Sequence, residues 1–169
     1  MKFESDRPEA EIVSSLTSIF ESSTVMTLGT VFQGALPAPW INNSFFAFDN
    51  SFDVYFVSAP DSVHSLNVEA NGQSAVSIFD PTSLSAGEKL AVQMTGVTAP
   101  LGEGDVMDGV KIYADRFERF GTIVGSPEDL RRTNMWVYRF TIEDMKLNDE
   151  RRFGKENRVA ARRVTTTAA

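Results

Sequence analysis

Three stretches of this chain alternate apolar and polar residues with a period of two. In "KLAVQMTGVT", residues 89–98, Leu90, Val92 and Met94 face one way while Lys89, Gln93 and Thr95 face the other. Phe52, Val54 and Phe56 alternate with Asp53, Tyr55 and Val57, and Trp136, Tyr138, Phe140 and Ile142 with Val137, Arg139, Thr141 and Glu143. A helix cannot present such a pattern as one face, so these segments read as strands covered on one side. Strands of that kind belong to antiparallel sheets.

The intervening sequence supplies the remaining elements. Residues 24–32, "TVMTLGTVF", read as a strand, and Gln33–Gly34 as a tight hairpin into a second strand over residues 35–48. Pro37 and Pro39 cannot donate to a ladder, which puts the start of that strand at an edge or bulge. "DNS" at 49–51 turns the chain into the third strand, 52–58, and "SAVSIFD" at 74–80 reads as the fourth. Ile12, Val13, Leu16, Ile19 and Phe20 predict a helix over 9–21, with Pro8 at its entry. Val106, Val110, Tyr113, Ala114 and Phe117 predict another over 105–119. Five or six strands with helices at the start, middle and end predict a mainly antiparallel barrel decorated by helices.

Composition narrows the function classes. With 169 residues, 42% apolar and 23% charged, the chain suits one compact domain. Without cysteine there is no disulfide or thiolate metal site, and a single histidine removes the usual zinc clusters; no metal site is expected. The start "MKFESDRPEAE" lacks the apolar core of a signal peptide, which predicts a cytoplasmic protein. Residues 22–48 carry no charge, yet Pro37, Pro39, Asn42 and Asn43 interrupt them, so a strand pair is expected rather than a membrane span. The net charge of −7 disfavours nucleic acid. It is unevenly placed: six basic residues and one acid between Arg151 and Arg163 make that segment +5 and leave −12 elsewhere. Residues 159–169 read as a basic, flexible C-terminal tail following a single domain over 1–158.

The only histidine lies in "VYFVSAPDSVHSLNVEANG", residues 54–72. Ser58-Ala59-Pro60-Asp61 has the form of a capping box, with Asp61 reaching back to Ser58 and Pro60 in the first turn. Val63, Leu66 and Ala70 then form an apolar stripe, and Asn71–Gly72 end the helix. A helix start offers free N–H groups and partial positive charge, and Ser58, Ser62 and His64 add two hydroxyls and an imidazole. The turn has the makings of an anion site.

These segments resemble a known family. "INNSFFAFD", "VYFVS", "APDSVHSLN", "SAVSIFD" and "AVQMTGVT" are similar in order to the flavin-binding split barrel of the pyridoxamine 5′-phosphate oxidase superfamily. "YADRFERF", "MWVYRFTIEDMKLND" and "FGK" at 153–155 resemble its small UPF0306 (YhbP-like) branch. The resemblance, over residues 24–158, implies a six-stranded antiparallel split β-barrel and a homodimer with flavin mononucleotide (FMN) in each groove between subunits. It places Val57, Ser58, Ser62, Val63 and His64 at the flavin phosphate, and Asn42, Asn43 and Ser44 beside the ring. Gln93 lies on a strand that supplies flavin contacts in relatives, and Trp136 on one that reaches the other subunit's site. Lys155 and Arg116 are candidates for phosphate or substrate contact, with Arg119 a weaker one.

Two departures are visible. Many relatives carry arginine or lysine directly after the turn serine, where this chain has Val63. Pyridoxamine phosphate oxidases carry a C-terminal arginine-and-histidine motif, whereas no histidine follows His64 here, which argues against vitamin B6 as substrate. The implied function is a flavin-dependent oxidoreductase acting on a small molecule or electron donor. The alternatives are a non-catalytic protein holding flavin, haem or a deazaflavin, and an interaction module that has lost its ligand. No catalytic residue is singled out, since the flavin itself carries the chemistry. "GTIVGS" at 121–126 lacks the lysine of a phosphate-binding loop.

Overall fold

The computed structural model describes residues 2–32 and 36–164. Helix α1, Glu9–Ser22, buries Ile12, Leu16, Ile19 and Phe20, as their spacing requires, and carries Glu9 and Glu11 in its first turn, where the helix dipole favours them. Strands β2 (Val25–Phe32) and β3 (Ala38–Phe45) pair antiparallel along their full length, from Val25 opposite Phe45 to Phe32 opposite Ala38. The Gln33–Gly34 hairpin lies outside the described residues. β3 ends the strand order, so Pro37 and Pro39 sit at an edge as expected.

The strand expected over 35–48 is divided. At Phe46 the chain swings inward, its N–H bonding Thr24 O at 3.1 Å and its ring fully buried against Phe20. The two-residue β4, Ala47–Phe48, follows. Asp49 then caps a turn by accepting from the N–H groups of Ser51 and Asp53, and Phe52 takes a φ of 57°. The third strand therefore starts two residues late, as β5, Val54–Ser58.

Beyond it come α2 (Val63–Ala70), β6 (Gln73–Phe79) and β7 (Leu90–Pro100). The helix expected over 105–119 spans α3, Val106–Arg116, and breaks at Phe117 (φ −124°, ψ 75°) before the single turn α4, Glu118–Gly121. Short α5 (Pro127–Arg132) precedes the long β8, Trp136–Asp149, which ends in α6, Glu150–Phe153.

Residues 159–164 form a strand where a flexible C-terminal tail over 159–169 is expected; residues 165–169 lie outside the described residues. Val159–Val164 form β9, which pairs with β8 on one side and with β1, Lys2–Ser5, on the other. Phe3, Val159 and Ala161 are buried there, while Arg162 bonds Asp144 and Arg163 bonds Asp53. Paired charges and small apolar residues make a strand of what reads as a solvated tail.

The result is one antiparallel sheet of nine strands, not six, ordered β1-β9-β8-β7-β6-β2-β3, with β5 on β8 and β4 on β5. The main core lies between α1 and the inner face of the sheet. A second cluster, with Tyr55, Val106, Val110, Leu130 and Val137, lies under α3 and α5. At Gly96 a bulge brings β7 against β8 so closely that a Cβ would collide with the Thr141 carbonyl oxygen. No helix among the described residues is long and apolar enough to cross a membrane.

Candidate functional site

Strand β5 delivers Ser58 to the inner side of the sheet, directly opposite Trp136 at the start of β8. The following turn closes with Ser62 N bonding Ala59 O at 3.1 Å, and α2 begins at Val63. The cap of α2 is Ser62, not Ser58: its Oγ accepts from Ser65 N at 3.4 Å. Asp61 does not reach back to Ser58 but accepts from the Asn134 amide at 3.1 Å. Pro60 thus stands in the turn ahead of the helix. Serine at 62 has the same capping chemistry as at 58, and the turn between them decides which is used.

The side chains form a compact polar cluster. Ser58 Oγ lies 2.6 Å from His64 Nε2 and 3.1 Å from Ser62 Oγ, and Ser62 Oγ is 3.2 Å from the same ring nitrogen. The Ser62 hydroxyl donates to Ser65 Oγ at 2.9 Å. Ser65, buried, is a member that the sequence reading missed; its place three residues after the capping serine is the signal that could have found it. No carboxylate takes part in these contacts. Burial holds the His64 imidazole below its ordinary value of 6.5, so it is neutral at pH 7 and can donate through only one nitrogen. Helix geometry leaves the N–H groups of Val63 and His64 without an intrahelical acceptor. Hydroxyls, an imidazole and free amides are a donor set that suits a phosphate, with one cation fewer than Arg or Lys at position 63 would give.

α2 is placed by polar contacts. Val63 and Leu66, expected to pack inward, are 40% and 51% exposed, while Ser65, Asn67 and Val68 are buried. Asn67 Nδ2 donates to Thr30 Oγ1 at 3.0 Å beneath the helix, fixing it to β2.

The other candidates fall into distinct places. Asn42 and Ser44 stand opposite Leu28 and Met26, on the inner face that α2 covers, and bond each other at 2.6 Å. Asn43 and Gln93 lie on the outer face. Val57 packs at the edge of the second core cluster. The Trp136 indole donates to Leu101 O at 2.7 Å and touches both clusters, a packing role beside the turn. Lys155 follows the far end of β8, away from Ser58 within one chain. The Arg116 guanidinium donates to the carbonyls of Phe20, Ser23 and Phe46 and lies over the Phe46 ring. Arg119 is exposed on α4.

No family model and no curated protein matches the sequence. Solved structures do match its fold, a mainly antiparallel β-sheet with flanking helices. A heme binding protein from Mycobacterium smegmatis superposes with a TM-score of 0.69 at 15% identity, over 92% of this chain and 58% of that one. This chain therefore spans less than two thirds of that protein. A putative pyridoxamine 5′-phosphate oxidase from Listeria innocua gives 0.59 at 18% identity, covering 80% and 97% of the two chains. A FAD-binding protein from Mesorhizobium loti gives 0.57 at 13% identity, covering 97% and 100%. At these identities the likeness is one of fold.

Proposed function

We propose that the chain is an FMN-binding flavoprotein of the pyridoxamine 5′-phosphate oxidase-like superfamily, in its UPF0306 branch, acting as an oxidoreductase on a small molecule. The observation that carries this reading is the cluster of Ser58, Ser62 and His64 at the start of α2, free of carboxylates and built of anion donors. Ser58, Ser62 and the first amides of α2 hold the phosphate, and His64 donates to it. Asn42 and Ser44 on the inner face, or Asn43 and Gln93 on the outer face, meet the ring's polar edge. A bound flavin supplies hydride or single-electron transfer; the protein supplies position and shelter from water. The barrel closes in a homodimer, and Trp136 and Lys155 approach the partner's site.

The exposed apolar side chains of β3, Trp40, Ile41 and Phe45, support a dimer, because a patch of this kind on a sheet edge invites a partner. Light scattering at micromolar concentration that gives only 18.7 kDa would refute it.

The fold shared with the M. smegmatis protein supports a second reading, haem binding without catalysis. Equilibrium dialysis with FMN decides between them: one FMN per chain is expected. Ser62→Ala with His64→Ala is expected to weaken it about 100-fold, two charge-assisted contacts being removed. Unchanged affinity would place the phosphate elsewhere.

A further inference from the structure

The corner between α5 and β8 lies beside the turn that precedes α2, and its backbone is fixed. α5 ends with Met135 N bonding Leu130 O at 2.9 Å and Asn134 N bonding Arg131 O at 3.1 Å, the two bonds of a Schellman motif. Asn134 occupies the position just past the helix where that motif needs a left-handed backbone, and its φ is 51°. Glycine is the usual residue there and asparagine the common substitute. The backbone therefore aims the Asn134 side chain, whose amide donates to Asp61 Oδ1 at 3.1 Å. Two residues on, Trp136 pairs with Ser58 in the ladder, which keeps corner and turn side by side.

The partner that Asp61 takes is not the one local chemistry favours. Asp61 is the only acidic residue between Ser58 and Asn67, and it directly precedes the capping Ser62. An aspartate in that place ordinarily accepts from the backbone N–H two residues on, here Val63, where the helix dipole also attracts its charge. The N–H groups of Val63 and His64 have no partner among the described hydrogen bonds. Asp61 nevertheless turns away from them to a neutral amide, and both residues of that contact are exposed. Such a bond contributes little to stability. What it governs is where a negative charge stands.

We propose that Asn134 is a positioning residue of the turn, holding the Asp61 carboxylate away from the first amides of α2 and from His64 so that an anion can take them. Without the amide, the carboxylate falls back onto the Val63 N–H, competes for the donors that a phosphate needs and repels it. The ligand in this inference rests on the flavin reading, whereas the position of Asp61 does not. A glycine at 134 would satisfy the Schellman motif equally well and leave the carboxylate unheld.

The test compares the full chain with Asn134→Gly and with Asn134→Gly combined with Asp61→Asn. Glycine suits the backbone at 134, so all three are expected to share one melting temperature. His64 is the only histidine, so its ring is followed without ambiguity by NMR titration of the ligand-free protein. Its pKa is expected to rise in Asn134→Gly, where the carboxylate approaches, and to return in the double variant. FMN affinity in equilibrium dialysis is expected to fall about tenfold in Asn134→Gly, to recover in the double variant, and to differ less as salt is raised. An unmoved His64 titration in Asn134→Gly overturns the proposal. So does a loss of FMN affinity that Asp61→Asn fails to restore, which would assign the effect to the shape of the corner. Should the unaltered chain take up no FMN while the His64 shift is seen, the flavin reading fails and the placing of Asp61 by Asn134 stands.

Discussion

At the scale of single residues the turn is decided by which serine caps and where one imidazole is buried. Ser58 and Ser62 are interchangeable as capping chemistry, and only the backbone course from Ala59 to Ser62 makes Ser62 the cap and turns Ser58 onto His64. The depressed pKa of His64 has a definite sign in stability. The unfolded chain takes up a proton near 6.5, which the folded protein resists, so the contribution of neutral His64 is present above that value and lost as pH falls through it. Asp80, held low by the Thr82 hydroxyl, and Asp129, held low by Arg132, lose their contributions only below 3.8 and do not interfere. The urea midpoint of the ligand-free protein is therefore expected to fall between about pH 7.5 and pH 5.5, and His64→Asn to flatten that fall. An identical slope in the variant would assign the effect to other groups. The types of residue at this site were legible in the sequence; their pairings depended on a turn whose path no local pattern specifies.

At the scale of elements, α2 shows tertiary packing overriding an amphipathic pattern. Its apolar residues at 63 and 66 face outward, and it is seated instead by Asn67 on Thr30, both buried. Asn67→Ala leaves the Thr30 hydroxyl buried without its partner and is expected to destabilise the protein by about 2 kcal/mol in urea unfolding. Adding Thr30→Val should recover part of that loss, since a paired deletion removes the orphan. Equal losses in the single and double variants would show that the contact does not seat the helix. The long strands were readable because each carries a full alternation, whereas α5 and α6, of six and four residues, are too short to show a period. β1 and β9 escaped because Lys2, Glu4 and Arg162 occupy outer positions, Arg163 takes an inner one opposite Phe3, and only Phe3, Val159 and Ala161 are apolar on the inner face.

At the scale of the whole molecule, the first and last described strands meet. β9 lies between β1 and β8, and its Arg163 reaches the buried Asp53 in the turn before β5. A chain ending at Arg158 would lose this strand, bare the Phe3 ring and leave Asp53 with only Arg139, 4.0 Å away. Burial of Phe3, Val159 and Ala161 makes the expected loss on the order of 3–5 kcal/mol, measured as the shift in urea unfolding. An unfolding curve matching that of the full chain would mean that the strand contributes nothing. The same closure bears on function, since it covers the edge of β8 away from the candidate turn and leaves β3 as the exposed apolar edge.

The sequence by itself determined the antiparallel class, the long strands, helices α1 and α3, and the residue types at the candidate turn, because these rest on short-range periodicity and capping chemistry. Only the tertiary structure decided the rest. It withdrew Arg116 to backbone carbonyls, drew the basic terminus into the sheet, and set Asn43 and Gln93 in one row with Lys146. Each of these outcomes depends on partners tens of residues away, and the register between strands that selects them is a property of the assembled sheet.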